Sequence, residues 1–203
     1  MKAIKVVLFD LGNVLVDLGD ISDFAAIFQV DTQDEAVMWE RWLKSSAVKA
    51  FDTGQINLSD FIQSLRLEMG ATDELEGLKQ AFVKWPKGLF SGVSQLIERI
   101  PPNYHRAILS NTNDAHWGRI MDEMGLSGCF HSYFASHQIG IAKPDLAVYE
   151  YVIRELGVAA DSILFLDDNL INVQAARKLG MQSEHVKGVE CAEKILYKYK
   201  VIS

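Results

Sequence analysis

The chain has 203 residues, 49% apolar and 23% charged, enough for one sizeable core plus a small insert and too apolar for a disordered segment. With 20 Lys and Arg against 27 Asp and Glu the formal net charge is -7, which excludes a general basic field for a nucleic-acid backbone. Cys129 and Cys191 are too few for a disulfide framework and fit no zinc pattern, the apolar stretch Val6 to Phe9 is too short for a signal peptide, and no run approaches the ~20 apolar residues of a membrane span, so a cytoplasmic protein with reduced thiols is expected.

The first predicted element is a strand over Ile4 to Phe9. It is almost wholly apolar, as a strand covered by helices on both faces should be. From about Val16 to Phe90 the pattern changes, and no strand is predicted. Leu58, Phe61, Ile62 and Leu65 form an apolar stripe on a 3.6-residue period. Phe51-Asp52-Thr53-Gly54-Gln55 reads as a turn between helices. Trp39, Trp42, Phe51 and Trp85 are expected to serve packing rather than a ligand. The expectation is a helical domain over residues 17–89, inserted into a core of residues 1–16 and 90–203.

Further strands are predicted at Ala107 to Leu109, Tyr133 to Ala135, Ile163 to Leu166 and, less marked, Ser183 to Val186. Helical stripes separate them: Trp117, Ile120, Met121 and Met124, then Tyr149, Val152, Ile153 and Leu156. Gly125, Gly157 and Gly180 each follow a helical run, where a residue tolerant of positive φ is wanted. Pro144 is expected in the first turn of its helix. Strands alternating with helices imply βαβ units, hence an α/β fold with a Rossmann-like parallel sheet.

In such sheets, ligands bind beyond the carboxyl ends of the strands. Asp10 and Gly12 follow the first strand, Ser110 and Asn111 the second, Lys143 and Pro144 the third, and Asp167 and Asp168 the fourth. Taken singly, each is an ordinary turn, cap or solvated residue. Together they put three carboxylates, a hydroxyl and a lysine on one sheet edge. Crowded carboxylates repel, so one must take up a proton unless a cation joins them. All-oxygen ligands favour Mg²⁺ over zinc.

The order Phe9-Asp10-x-x-x-Val14, Leu109-Ser110-Asn111, Lys143-Pro144 and Asp167-Asp168 resembles the haloacid dehalogenase superfamily of hydrolases. The inserted helical segment is similar to the cap of its subfamily I. The phrases Phe-Asp-Leu-Gly-Asn-Val and Ser-Asn-Thr-Asn resemble its bacterial glucose-1-phosphate phosphatase branch. The resemblance implies a Mg²⁺-dependent phosphatase acting on a small-molecule phosphate ester, with no nucleic-acid or membrane partner. It implies Asp10 as nucleophile and metal ligand, with the Gly12 carbonyl, Asp168 and Asp167 as metal ligands, Asp167 directly or through water. Ser110 and the Asn111 backbone would hold phosphate oxygens, and Lys143 would neutralise charge on nucleophile and phosphoryl group.

One position departs from the pattern. Phosphatases of the superfamily usually carry an acid two residues after the nucleophile, where this chain has Gly12. Three readings stay open: Asp17 or a cap residue replaces the acid, the substrate has a good leaving group, or the protein binds phosphate ligands with little turnover. The superfamily's dehalogenases also lack that acid, but use no metal and generally have neutral residues where Asp167 and Asp168 stand.

Overall fold

The computed structural model describes residues 3–19, 35–70 and 74–203. Strand β1 (Val6–Phe9) is followed by a two-residue strand β2 (Val16–Asp17). Helices α1 (Glu35–Lys44), α2 (Ser46–Asp52), α3 (Leu58–Met69) and α4 (Leu75–Val83) come next, then a second two-residue strand β3 (Gly88–Leu89). The chain continues through α5 (Val93–Arg99), β4 (His105–Ser110), α6 (Asp114–Gly118), β5 (Ser132–Ala135) and the short α7 (Ser136–Ile139). It ends with α8 (Leu146–Leu156), β6 (Ile163–Asp167), α9 (Leu170–Lys178), β7 (Gln182–His185) and α10 (Gly188–Lys198).

The five long strands form one parallel sheet in the order β5-β4-β1-β6-β7. All five predicted strands are present. Side chains alternate across a strand, and β1 shows it. Val7 and Phe9 join α5 and α10 on one face, while Val6 and Leu8 join α8 and α9 on the other. All four are essentially solvent-free, and burying such a side chain contributes ~1.5–3 kcal/mol. This two-sided burial is why the strand reads as a continuous apolar run.

From β1 the chain winds outward through β4 and β5, then returns to the other side of β1 for β6 and β7. The winding direction thus reverses at β1, and the carboxyl ends of β4, β1 and β6 lie side by side. A crevice opens at such a reversal.

Helices α1 to α4 form the insertion, as the pattern predicts. Ala47, Val48, Phe51, Phe61, Ile62, Leu65, Leu78, Phe82 and Trp85 bury an apolar cluster of their own. Phe51 stacks on Phe61 at 4.4 Å between ring centroids. Trp42 packs edge-on to Trp85 at 5.1 Å, in keeping with a packing role; the side chain of Trp39 lies outside the described residues.

Three local expectations are corrected. The segment from Val16 to Phe90 does contain strand: β2 and β3 pair antiparallel, Val16 opposite Leu89 and Asp17 opposite Gly88. Two-residue strands are too short to leave an alternating pattern in sequence. Pro144 stands before the N-cap Asp145 of α8 rather than in the first turn. The predicted single helix over Trp117 to Met124 is a short α6 that widens into a π-helical turn at Arg119–Glu123. Gly125, Gly157 and Gly180 all adopt positive φ, as the helix ends require.

The loop after β4 is fastened to α7 by the Ser136 hydroxyl and by His137 Nδ1, which donates to the Thr112 carbonyl at 3.2 Å. Ser136 Oγ accepts from the Thr112 amide at 2.9 Å and donates to the Thr112 carbonyl at 3.0 Å, and both residues are buried. Removing it strands a buried N–H, so Ser136→Ala is expected to cost ~1–3 kcal/mol, seen as a lower urea midpoint with an unchanged slope.

Candidate active site

Asp10 immediately follows β1, and its amide continues the ladder to the Leu166 carbonyl at 2.9 Å. Its Oδ1 accepts from the Leu11 amide at 2.7 Å and lies 2.8 Å from Lys143 Nζ. Among the described residues, no hydrogen bond is made to its Oδ2. One oxygen is therefore held by two donors while the other remains available in the cleft.

Lys143 is buried, and its ammonium has three acceptors for three protons. They are Asp10 Oδ1, Asp167 Oδ2 at 2.7 Å and the Leu109 carbonyl at 3.1 Å. Burial alone would lower its pKa, but Asp10 and Asp167 outweigh burial and hold it above the usual lysine range. Its backbone is fixed by Asn111, whose Oδ1 accepts from the Lys143 amide and whose Nδ2 donates to the Lys143 carbonyl, both at 2.8 Å. The loops after β4 and α7 thus form one unit.

Asp167 is fully buried and fully engaged. Its Oδ1 accepts from the Asn169 amide and from Asn172 Nδ2, and its Oδ2 from Lys143 and Asn172. Asp168 is held on one oxygen by Asn13 Nδ2 at 3.0 Å, and Asn13 reaches it from a left-handed backbone (φ 53) that Asn tolerates well. His185 Nε2 donates to the Asp168 carbonyl at 2.6 Å.

Oxygens of Asp10, Asp167 and Asp168 lie within 4.8 Å of one another. Burial, against the pull of Lys143 and with repulsion from Asp167 and Asp168, pushes the Asp10 carboxyl up to about 8. Burial likewise raises Asp168, opposed by its bond to Asn13. One ammonium does not balance three carboxylates. An all-oxygen set with excess negative charge suits a hard divalent cation, so the residues present fit Mg²⁺.

Every sequence-predicted site residue except Asp167 lines one cleft of about 1010 Å³: Asp10, Gly12, Ser110, Asn111, Lys143 and Asp168. Asp167 lies beneath it, against Lys143. Asp17, considered as a substitute acid, is not among the lining residues, and its Oδ1 caps the Gly19 amide at 2.8 Å. At Gly12 an added Cβ would stand 3.0 Å from Leu18 Cδ1, so a side chain there requires Leu18 to shift.

The insertion closes the cleft from the opposite side. His116 Nε2 donates to the Phe82 carbonyl at 2.8 Å, and its ring stacks on Phe82. Burial pushes that imidazole down to about 4, keeping it neutral. Gly54 (φ +70) would place a Cβ 2.4 Å from the His137 carbonyl, so only glycine lets the turn after α2 approach the core this closely. At the end of α2, Asp52 lines the cleft and accepts from Asn113 Nδ2 at 3.2 Å. Burial raises its carboxyl to about 6, with Asn113 opposing. Asn13, Asn172, Asn113 and Asp52 escape the sequence reading. Their partners are 155, 5, 61 and 61 positions away, and no local signal marks such pairs.

These features have counterparts in known proteins. Residues 4–180 match the haloacid dehalogenase-like hydrolases, and the chain belongs to that family of enzymes. A D-ribitol-5-phosphate phosphatase from Bacteroides thetaiotaomicron is 24% identical over 190 residues, 89% of this chain and 90% of that protein. A sesquiterpene phosphatase from Aspergillus oryzae is 26% identical over 196 residues, 90% of this chain and 89% of its own. A HAD family enzyme from Bacteroides thetaiotaomicron, solved with magnesium and inorganic phosphate, superposes with a TM-score of 0.73 at 25% identity, covering 91% of this chain and 95% of that one. Among the described residues no helix is long and apolar enough to cross a membrane.

The raised Asp52 carboxyl makes a stability prediction. From about pH 4 to 6 the unfolded chain has lost this proton while the folded chain keeps it, so stability falls as pH rises through that interval. Above it, the buried charge remains a net cost. Asp52→Asn keeps an acceptor for Asn113 and removes the charge. Its melting temperature should exceed wild type by a few degrees at pH 8 and match it near pH 4; a gap that does not change with pH would contradict the assignment.

Proposed function

We propose that the chain is a magnesium-dependent phosphatase of the cytoplasm that hydrolyses small phosphate monoesters, sugar phosphates among them, through an aspartyl-phosphate on Asp10. The observation that carries this is the state of Asp10: Oδ1 held by the Leu11 amide and Lys143, Oδ2 available, and Asp168 beside it. An anchored carboxylate with one free oxygen is a positioned nucleophile, and forming a covalent intermediate splits one hard step into two easier ones.

In this mechanism Ser110 and the Asn111 amide receive the phosphate oxygens at the end of β4. Lys143 opposes the burial that raises the Asp10 carboxyl and neutralises charge that gathers on the transferring group, and a divalent cation bound beside it would favour the ionised form further. Asp10, the Gly12 carbonyl and Asp168 would hold Mg²⁺. Asp167, its oxygens already taken, contributes charge and fixes Lys143 rather than ligating directly. Bound there, the ion would offset the carboxylates and the phosphate dianion. Residues 17–89 act as a cap that covers the substrate and excludes water, over a core of residues 1–16 and 90–203.

A sugar phosphate is favoured by the cap's contribution to the cleft, where Lys49, Asp52, Thr53 and Gln55 offer polar groups beside Trp42 and Trp85. The named substrate of the ribitol-phosphate relative points the same way, and the Asp10-Leu11-Gly12-Asn13-Val14 phrase resembles the glucose-1-phosphate phosphatase branch. The acidic residues at 167 and 168 argue against a dehalogenase.

Purified protein should release inorganic phosphate from a panel of sugar phosphates with Mg²⁺, and lose that activity with EDTA or in Asp10→Asn. Ligand binding by calorimetry with no release across the panel would instead select a phosphate-binding protein. Asn111→Ala, which frees the Lys143 backbone, should lower kcat by roughly 10²-fold, because misplacing a catalytic group by about 1 Å costs that much.

A further inference from the structure

We propose that Asp52 is the acid and base of the reaction, protonating the leaving oxygen and then activating water, the part Gly12 cannot take. This rests on the phosphatase function proposed above. A monoester of an ordinary alcohol must gain a proton as its P–O bond breaks, and a positioned donor is worth ~10²–10⁴ in rate. Some group in the cleft has to carry that proton.

Among the described residues the other titratable groups of the cleft are committed elsewhere or poorly placed. Asp10 is the nucleophile. All three protons of Lys143 are engaged, two by carboxylates. Asp168 stands with Asp10 on the cation side, and His185 gives its Nε2 proton to the Asp168 carbonyl. His116 gives its Nε2 proton to Phe82. Asp145 caps the Ala147 amide. Lys49 and Lys187 are exposed ammonium groups at the rim. Asp17 lies off the cleft.

Asp52 is placed differently. Phosphoryl transfer keeps attacking and leaving oxygens roughly in line, so with Asp10 on the floor the leaving oxygen points away from the sheet, toward the cap. Asp52 is a cap carboxyl on that wall, and Asn113 fixes it over the loop that begins at Ser110. The close approach of Gly54 to the His137 carbonyl locks the next turn against the core and keeps Asp52 there. Its burial holds the proton up to about pH 6, near the range in which an acid can both give and retake a proton.

The steps balance. In the first, an Asp10 oxygen bonds to phosphorus, the phosphorus–leaving oxygen bond breaks, and the Asp52 proton passes to that oxygen, releasing the alcohol. In the second, the Asp52 carboxylate takes a proton from water as the water oxygen bonds to phosphorus. The phosphorus–Asp10 bond breaks, inorganic phosphate leaves, and Asp52 is again protonated.

The test compares wild type, Asp52→Asn and Asp52→Glu on an alkyl or sugar phosphate and on 2,4-dinitrophenyl phosphate, whose leaving group needs no proton. D52N should lose roughly 10²-fold or more in kcat/KM on the alkyl ester and only a few-fold on the dinitrophenyl ester. With the latter its kcat should still fall, giving a one-per-site burst of dinitrophenolate, because water attack has lost its base. D52E should recover to within about tenfold of wild type on the alkyl ester. Equal losses in kcat/KM on both esters, or none on either, would overturn the proposal while leaving the phosphatase function standing. No phosphate release by wild type from any ester would remove that function itself. The wild-type enzyme gives a second measurement: log(kcat/KM) against leaving-group pKa should be shallow, and a steep dependence would also overturn the role of Asp52.

Discussion

The site is organised around one buried ammonium. Lys143 comes to the edge of the sheet with a proton for the carboxylate after β1, one for the carboxylate that ends β6 and one for a carbonyl of β4. These are the three central strands, so a single charge ties together the adjacent ends on which the crevice is built. Taking one member away would leave its partners charged and dry, which costs ~3–5 kcal/mol in buried pairs. The arrangement tolerates burial because every proton of the ammonium has an acceptor, and because Asp167 accepts from three donors, the Asn169 amide, Asn172 Nδ2 and Lys143 Nζ.

That same arrangement is deliberately short of positive charge. Asp10 and Asp168 sit beside the Lys143–Asp167 pair with less compensation than they need, and the Asp10 carboxyl rises accordingly. A structure built for stability alone would replace one carboxylate or add a second cation. On the function proposed above, that deficit would favour a divalent ion, and the Asp10 oxygen with no hydrogen bond among the described residues would be the reactive one. The cap brings a further buried carboxylate, Asp52, at its own cost to stability. Strain of this kind at functional groups, offset by well-packed apolar layers elsewhere, is a common division within a fold.

How much of this is legible in the sequence depends on the range of the interactions. The strands are visible because Val6 to Phe9 and Ile163 to Leu166 are buried on both faces and so cannot vary in polarity. The residues that follow the strands are visible because the topology of a parallel sheet puts them on one rim. The asparagines are not. Asn111 reads as a phosphate-loop residue, and only the folded chain reveals that its side chain clasps the Lys143 backbone. Asp52 reads as a turn residue, since nothing within the cap indicates that Asn113 will meet it. The β2–β3 ribbon is invisible for a simpler reason: four residues carry too little pattern.

That ribbon has a consequence for the chain's history. The segment between Asp17 and Gly88 leaves and re-enters the core through two neighbouring, hydrogen-bonded threads. The ends of the intervening loop are therefore held a fixed short distance apart whatever lies between them. Closing a longer loop costs only ~0.6 kcal/mol per doubling of its length. Whole helices could be gained, lost or exchanged in that span with little entropic penalty to the sheet, so that one chemical floor could be roofed for many different molecules.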